Sequence, residues 1–198
     1  LQSRNYRPSP SVCFISEQPK RREIFAAAFR DRIIHHLLVR QIEPWWEARF
    51  IFDTYACRKG KGTLAAVERA QQFIRQVSHN GSQRAWALHL DIRSFFVRIN
   101  KAILNGQVEA GLRRQRLPWK EDLIWLADTI IHYDPTIDAH QIGHGFNAVP
   151  AHKSLYHTEN LTGLPIGNYS SQFFANVYLN PLDQYIKHEL KIRFYLRY

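Results

Sequence analysis

One short segment constrains the fold more than any other part of the sequence. In residues 86–91, the large apolar side chains Trp86, Leu88 and Leu90 alternate with smaller or polar neighbours, and the segment ends at Asp91. Alternation with a period of two is typical of a β-strand with one buried face. A carboxylate at the end of an apolar strand is costly unless it is solvated, paired or bound to a metal. The segment therefore predicts a strand that carries an acid to the edge of a sheet.

A second segment, residues 164–172, places Gly167 in a turn that opens an amphipathic helix. From Ser170 onward the apolar residues recur at helical spacing, and Pro181 is expected to kink that helix. Residues 192–198 alternate again and predict a last strand. The chain thus combines predicted strands with predicted helices.

The remaining elements are predicted from periodicity and from cap and turn residues. Residues 1–21 contain three prolines and predict an extended arm. The other predictions are a strand at 24–29, a helix from Asp31 to Ile42, core tryptophans at Trp45 and Trp46, a helix capped by Thr63, a turn at 79–82, helices at 99–112 and 119–131, and a loop or hairpin over 132–163.

The strongest clue in the composition is a formal net charge of +10, from 27 basic and 17 acidic residues. This excess favours a polyanionic partner such as nucleic acid, the alternative being a protein that is merely basic. Cys13 and Cys57 form neither a disulfide framework nor a zinc pattern, which favours a reducing cytoplasm. No apolar run reaches the roughly 20 residues of a membrane helix, so we expect no membrane partner.

Two candidate sites follow from the residues alone. Asp91 has the chemistry of a Mg²⁺ ligand beside substrate phosphates, because Mg²⁺ prefers hard oxygen ligands. Alternatively, Asp91 caps the next helix, and the aromatic pair Phe95 and Phe96 belongs to the core. The basic, glycine-rich loop at 55–63 suits a cradle for nucleic-acid phosphates or a solvated turn. Its glycine spacing excludes a P-loop.

Several segments, in order along the chain, resemble the motifs of bacterial, non-viral reverse transcriptases. Residues 22–25 and 29–32 are similar to the fingers motif of that family. The resemblance implies that Arg22 and Arg30 contact the triphosphate of the incoming nucleotide. Arg30 replaces the lysine that is common in intron-encoded relatives.

The next motif of the family supports template binding, and Phe50 with residues 55–63 resembles it. The resemblance implies template contacts from Arg58, Lys59 and Lys61.

Residues 91–96 resemble the motif that carries the first catalytic acid of the family. The resemblance makes Asp91 a catalytic metal ligand, with the main-chain carbonyl of Ile92 helping to hold the second ion. Phe96, five residues after the acid, matches the aromatic steric gate that excludes a ribose 2′-OH.

Residues 166–172 distinguish between subfamilies of reverse transcriptases. Their pattern, Ile-Gly-x-x-x-Ser-Gln, resembles that of reverse transcriptases from diversity-generating retroelements, whereas other subfamilies carry Gln-Gly-x-x-x-Ser-Pro. The resemblance places Ile166, Gly167 and Gln172 at the nucleotide. In that subfamily the aliphatic residue relaxes nucleotide selection, which implies error-prone copying. The continuation at 174–183 resembles the same group.

The fold implied by the resemblance is α+β, a right-hand polymerase with fingers, an incomplete palm and no thumb. In the family, the strand matching 192–198 leads into Tyr-x-Asp-Asp, and Tyr198 matches its tyrosine. Both acids would follow Tyr198, so we expect this fragment not to polymerise by itself. The expected divisions are an arm at 1–21, fingers at 22–85, a first part of the palm at 86–116, helices and a loop of fingers and palm at 117–165, and a second part of the palm at 166–198.

The function implied is that of an RNA-directed DNA polymerase, which extends a DNA or RNA primer on an RNA template with dNTPs and two Mg²⁺ ions. An accessory protein is a further expected partner. Three alternatives stay open. They are a group II intron or retron reverse transcriptase, a defence-associated polymerase, and a non-catalytic nucleic-acid-binding module that has kept the fingers. Ile166 and Gln172 argue against the first of these.

Overall fold

The computed structural model describes residues 4–18, 20–159 and 161–198, which contain both helices and strands. This content confirms the α+β class. In chain order the elements are β1 (Val12–Ser16), β2 (Arg22–Ala26), α1 (Phe29–Glu47), α2 (Thr63–Val77), α3 (Phe95–Arg98), α4 (Lys101–Arg113), α5 (Lys120–His132), β3 (His140–Gln141), three 3₁₀ turns (Phe146–Ala148, Ala151–Lys153 and Leu155–His157), α6 (Tyr169–Gln184) and a π-helical turn (Tyr185–Glu189). In the described part of the chain, no helix is both long and apolar enough to cross a membrane.

The chain divides into two compact units. The first comprises Leu1–Glu47 and Ser94–Tyr178, and the second comprises Ala48–Arg93 and Leu179–Tyr198. These units do not coincide with the predicted fingers and palm divisions, which stay a prediction.

The sheet of the first unit has the strand order β2-β1-β3. β1 runs antiparallel to β2, with Cys13 opposite Phe25, and parallel to β3. The predicted strand at 24–29 is confirmed with shifted bounds. The arm predicted at 1–21 forms β1 in its second half, because β2 supplies a hydrogen-bonding neighbour; residues 1–3 and 19 of that arm lie outside the described residues.

Helices α1, α4 and α5, together with α6 as far as Tyr178, form the rest of the core of the first unit, with α5 packed against both α1 and α4. The predicted helices at 99–112 and 119–131 are confirmed as α4 and α5. The helix predicted to end at Ile42 continues through Pro44 to Glu47. Proline removes one helical hydrogen bond, but burial of Trp46 at the end of α1 holds the last turn in place. The core role predicted for Trp46 is confirmed.

Gly111 of α4 marks a close approach between helices. An ideal Cβ at this position would lie 2.7 Å from Cζ2 of Trp46 and 3.0 Å from Cζ3 of Trp45. Gly111→Ala is therefore expected to lower the free energy of unfolding by about 1–3 kcal/mol, the usual cost of overpacking.

The matched control lies in the same helix. A Cβ on Gly106 would meet nothing within 4 Å, so Gly106→Ala is expected to stabilise the protein by about 0.5–1 kcal/mol through helix propensity. Urea unfolding of the two variants measures both values. Equal effects of the two substitutions would contradict the close packing of α4 on α1.

Two buried carboxylates organise the second unit. Asp183 accepts hydrogen bonds from the Arg197 guanidinium, at 2.8 and 3.0 Å, and from the Tyr195 hydroxyl at 2.7 Å. Asp53 accepts a hydrogen bond from Nε of Arg69 at 2.7 Å. Cationic donors make such burial tolerable because they offset the cost of removing a carboxylate from water. These contacts tie residues 195–197 to the unit.

Two predicted strands are wrong. Trp86 is 90% exposed, and no main-chain hydrogen bond joins residues 86–91 to another described segment. Residues 192–198 form a single bridge, between Arg197 and Thr54. Alternation predicts an apolar face, but a strand also needs a neighbour that completes its hydrogen-bond ladder. The described residues supply no such neighbour for residues 86–91.

Helix α2 confirms the predicted helix but corrects its cap. Gly62 occupies the N-cap position and Thr63 is the first helical residue. The Thr63 hydroxyl is hydrogen-bonded to the Tyr198 hydroxyl at 2.6 Å instead of capping the helix.

Candidate nucleotide-binding site

The turn that contains Ile166 and Gly167 docks on the free edge of β2. The Phe25 N–H donates a hydrogen bond to the Ile166 carbonyl at 2.7 Å. Two residues further on, the Ala27 N–H donates to Oδ1 of Asn168 at 3.2 Å. Since β1 pairs with the other edge of β2, these bonds extend the sheet by one short segment. The turn is thereby held against the strand that begins at Arg22.

Gly167 is required where the turn meets the strand. Its φ is +124°, and an ideal Cβ would lie 2.8 Å from the Phe25 carbonyl oxygen and 2.9 Å from Cγ2 of Ile24. A side chain at this position would combine an unfavourable backbone conformation with a clash against main-chain atoms. The glycine of the predicted motif thus has a direct structural reason.

Phe96 is brought to the same neighbourhood by the segment that precedes the turn. The Leu164 N–H donates to the Phe96 carbonyl, and the Gly163 N–H donates to the Ile99 carbonyl, both at 2.8 Å. The Phe96 ring is half-buried and contacts the Phe95 ring edge-on, with centroids 5.5 Å apart. Residues 163–168 therefore link Phe96 to β2 through main-chain hydrogen bonds.

The two arginines predicted to bind a triphosphate differ in their surroundings. The Arg22 side chain is exposed and makes no hydrogen bond or ion pair with the described residues. Nη2 of Arg30 instead donates to the Arg7 carbonyl at 2.9 Å and to the Ser9 hydroxyl at 2.8 Å, and its Nε contacts Asp31. Arg22 is available to an anionic ligand, whereas Arg30 anchors the N-terminal segment. The triphosphate contact of Arg30 stays a prediction.

The residues that open α6 point in different directions. Gln172 is exposed, whereas Ser170 and Ser171 are buried. The Ser170 hydroxyl lies 3.2 Å from Nδ1 of His35. Burial lowers the pKa of His35 to about 4, so this histidine is neutral at pH 7. Ser170 and Ser171 therefore support the turn from inside, and Gln172 faces outward.

Asn168 is a site residue that sequence reasoning missed. Its side chain is 5% exposed and holds the turn to β2 through the Ala27 N–H. An asparagine directly before a helix predicts an N-cap, so the available signal favoured a different role.

Asp91 and Ile92 belong to the second unit and lie in a segment without helix or strand. Asp91 is exposed, and its carboxylate has no partner among the described residues. The helix-capping alternative for Asp91 is wrong, since Ser94 occupies the N-cap position of α3 and makes no side-chain cap.

The donor chemistry at this segment suits Mg²⁺. The Asp91 carboxylate and the Ile92 carbonyl are hard oxygen donors, and Mg²⁺ is commonly bound by one or two carboxylates together with substrate phosphates. Across residues 4–18, 20–159 and 161–198, no three His, Cys, Asp or Glu side chains form a group that could hold a metal ion.

The basic loop divides into structural and available cations. Arg58 donates to two main-chain carbonyls of its own unit at 2.9 and 3.0 Å, and its guanidinium lies 5.2 Å from the centre of the Phe50 ring. Lys61 donates to the Phe52 carbonyl and lies 3.7 Å from the centre of that ring. Lys59 is exposed and makes no hydrogen bond or ion pair with the described residues. Of the three predicted template contacts, Lys59 is thus the one whose charge is not already used by the fold.

The chain is similar to Protein YkfC of Escherichia coli (strain K12). The two sequences are 26% identical over 189 residues, which make up 94% of this chain and 43% of YkfC. The chain therefore spans less than half the length of this relative. No protein-family model matches the chain.

Proposed function

We propose that this chain is the fingers and part of the palm of an RNA-directed DNA polymerase of the error-prone, diversity-generating type. The observation that carries the proposal is the docking of the turn at Ile166 and Gly167 on β2, together with the hydrogen bond from Leu164 to Phe96. These contacts bring Phe96, Ile166 and Gly167 next to the strand that begins at Arg22, and they support the proposal.

The residues of the first unit have the properties that a nucleotide site needs. Arg22 offers charge-assisted hydrogen bonds to phosphate oxygens, because its guanidinium is exposed and unpaired within the described residues. The half-buried ring of Phe96 provides a steric limit at the sugar. Ile166 stands where other subfamilies carry glutamine, so it removes a polar contact and leaves van der Waals restraint alone. Relaxed base selection follows from that loss.

Asp91 and the Ile92 carbonyl would hold Mg²⁺. The bound ions would neutralise charge on the triphosphate and on the leaving pyrophosphate. Asp91 is exposed and has no cationic partner among the described residues, so its carboxylate is available to bind a metal ion.

Template binding is expected to depend on Lys59 more than on its neighbours. Lys59→Ala should weaken RNA binding with little change in stability, and should reduce the slope of log affinity against log salt by about one unit. Fluorescence anisotropy with a labelled RNA between 50 and 200 mM NaCl measures both quantities. With about 6–10 phosphate contacts, affinity should fall roughly 10³–10⁵-fold over that range.

Lys20→Ala is the matched control for Lys59, since Lys20 is also an exposed lysine but lies outside the predicted template contacts. An affinity that does not change with salt would contradict the electrostatic basis of binding. Equal losses from the two lysine variants would remove Lys59 from the template contact.

The proposal is tested by primer extension with the complete protein that contains this chain. A primed RNA template, dNTPs and Mg²⁺ should give cDNA, with errors concentrated opposite template adenines, as in the diversity-generating enzymes that residues 166–172 resemble. Ile166→Gln should lower that error frequency. RNA binding without any extension would favour a non-catalytic nucleic-acid-binding module, which the net charge of +10 also supports.

A further inference from the structure

A cleft lies on the face of the sheet opposite Arg22. Successive side chains of a strand point to opposite faces, so Glu23 faces away from the candidate nucleotide site. On the Glu23 side, a cleft of about 590 Å³ opens against the loop that follows β3 and the 3₁₀ turns. Its polar lining includes Glu23, Gln141, Asn147 and Tyr156, and Phe146 contributes an aromatic wall.

Glu23 differs from the other buried acids of the protein. Four carboxylates are buried in the described residues, and three of them pair with an arginine; the three pairs are Asp31 with Arg30, Asp53 with Arg69, and Asp183 with Arg197. Glu23 is 5% exposed, and its Oε2 accepts a hydrogen bond from the Leu155 N–H at 2.7 Å. No lysine, arginine or histidine of the described residues forms an ion pair with it. A buried carboxylate without a cation is costly, which leaves Glu23 in need of a positive partner.

A second unsatisfied group lines the same cleft. The Tyr156 hydroxyl is buried beside the Cys13 thiol and the Gln141 side chain, and it forms no hydrogen bond of good geometry with the described residues. Burial raises the pKa of Tyr156 to about 12, so the hydroxyl stays protonated and retains its acceptor lone pairs. The rings of Tyr156 and Phe146 also offer faces and edges to a planar cation.

We propose that this cleft binds a guanidinium-bearing organic cation, which pairs with Glu23 and donates a hydrogen bond to Tyr156. A guanidinium presents several N–H donors in one plane, which matches a carboxylate, a hydroxyl and the side-chain amides of Gln141 and Asn147. Its delocalised charge is more weakly hydrated than that of an ammonium and stacks on aromatic rings. The cleft volume falls within the roughly 300–1,000 Å³ of small-molecule sites. The proposal does not depend on the polymerase function.

The test is an isothermal titration calorimetry experiment in which agmatine is added to the 198-residue chain in the absence of nucleic acid and nucleotides. Agmatine should bind, whereas butylamine, which lacks the guanidinium, and urea, which is planar but neutral, should bind at least about tenfold more weakly. Glu23→Gln keeps an acceptor for the Leu155 N–H but removes the charge, and it should weaken agmatine binding at least about tenfold. Glu109→Gln, at a partly exposed glutamate of α4 paired with Arg113, should leave binding unchanged.

Tyr156→Phe provides an independent arm should Glu23→Gln fail to fold. It keeps the ring and removes the hydroxyl, and it should weaken agmatine binding several-fold with the far-UV circular dichroism spectrum unchanged. Guanosine provides a neutral source of similar planar N–H donors. Binding of guanosine in place of agmatine would contradict the proposal that the ligand is a cation. Agmatine binding that neither variant weakens would overturn the site.

Discussion

Asp91→Asn in the complete protein should reduce the rate of primer extension by at least about 10²-fold, because the amide cannot supply the charge that stabilises a phosphoryl-transfer metal. The substitution should leave stability unchanged, since Asp91 is exposed and unpaired within the described residues. Extension rates at saturating dNTP and thermal unfolding of the same preparation measure the two effects. A loss of activity without a loss of stability would support a catalytic role for Asp91.

Asp122→Asn is the matched control for Asp91. Asp122 is an acid of α5 whose carboxylate pairs with Arg4 at the surface, at 2.9 Å. Exposed ion pairs contribute about 0–1 kcal/mol, so this variant should extend primers at the wild-type rate. If Asp91→Asn also kept the wild-type rate, the predicted catalytic role of Asp91 would be wrong.

Gly167→Ala should destabilise the protein by about 2–4 kcal/mol, since it adds backbone strain to overpacking against β2. The new Cβ would lie 2.8 Å from the Phe25 carbonyl oxygen, and main-chain atoms have little room to move. We also expect loss of dNTP binding, because the turn that carries Ile166 would leave the strand. Urea unfolding of the 198-residue chain gives the stability change directly.

Gly143→Ala is the control that separates the cost of backbone strain from the cost of overpacking in Gly167→Ala. Gly143 has a φ of +83°, but a Cβ there would meet nothing within 4 Å. This variant should therefore cost only about 1 kcal/mol of strain. The difference between the two glycine variants measures the close approach of the turn to β2. Equal destabilisation would show that the contact with Phe25 contributes nothing.

Local patterns predicted most helices, because each one depends on residues close together in sequence. The apolar spacing of α4 and α5 and the proline between them were sufficient to predict both helices. The glycine of the motif at 166–172 was also predicted as a turn residue. A glycine is required there because a Cβ at position 167 would lie 2.8 Å from the Phe25 carbonyl oxygen. This contact depends on a strand about 140 residues earlier and could not be predicted from spacing.

The other assignments depend on contacts that residue type and local spacing do not reveal. Residues 86–91 have the pattern of a strand, but pairing depends on a partner that local alternation cannot reveal. Arg58 and Lys61 carry the charge of phosphate-binding residues, and the fold also uses both to hold main-chain carbonyls, so their template contacts stay a prediction. Asn168 had the signal of a helix cap. The Asn168 side chain instead accepts a hydrogen bond from the Ala27 N–H, 141 residues earlier in the chain.

The most direct test of the nucleotide site compares Phe96→Ala with Phe95→Ala. The complete protein is given a primed RNA template and either dNTPs or rNTPs, and the ratio of the two incorporation rates is measured. If the ring of Phe96 faces the sugar, Phe96→Ala should raise relative rNTP incorporation at least about tenfold. Phe95→Ala should leave that ratio unchanged, since the Phe95 ring packs beside Tyr178. An unchanged ratio in the Phe96 variant, or equal changes in both, would contradict the proposed site.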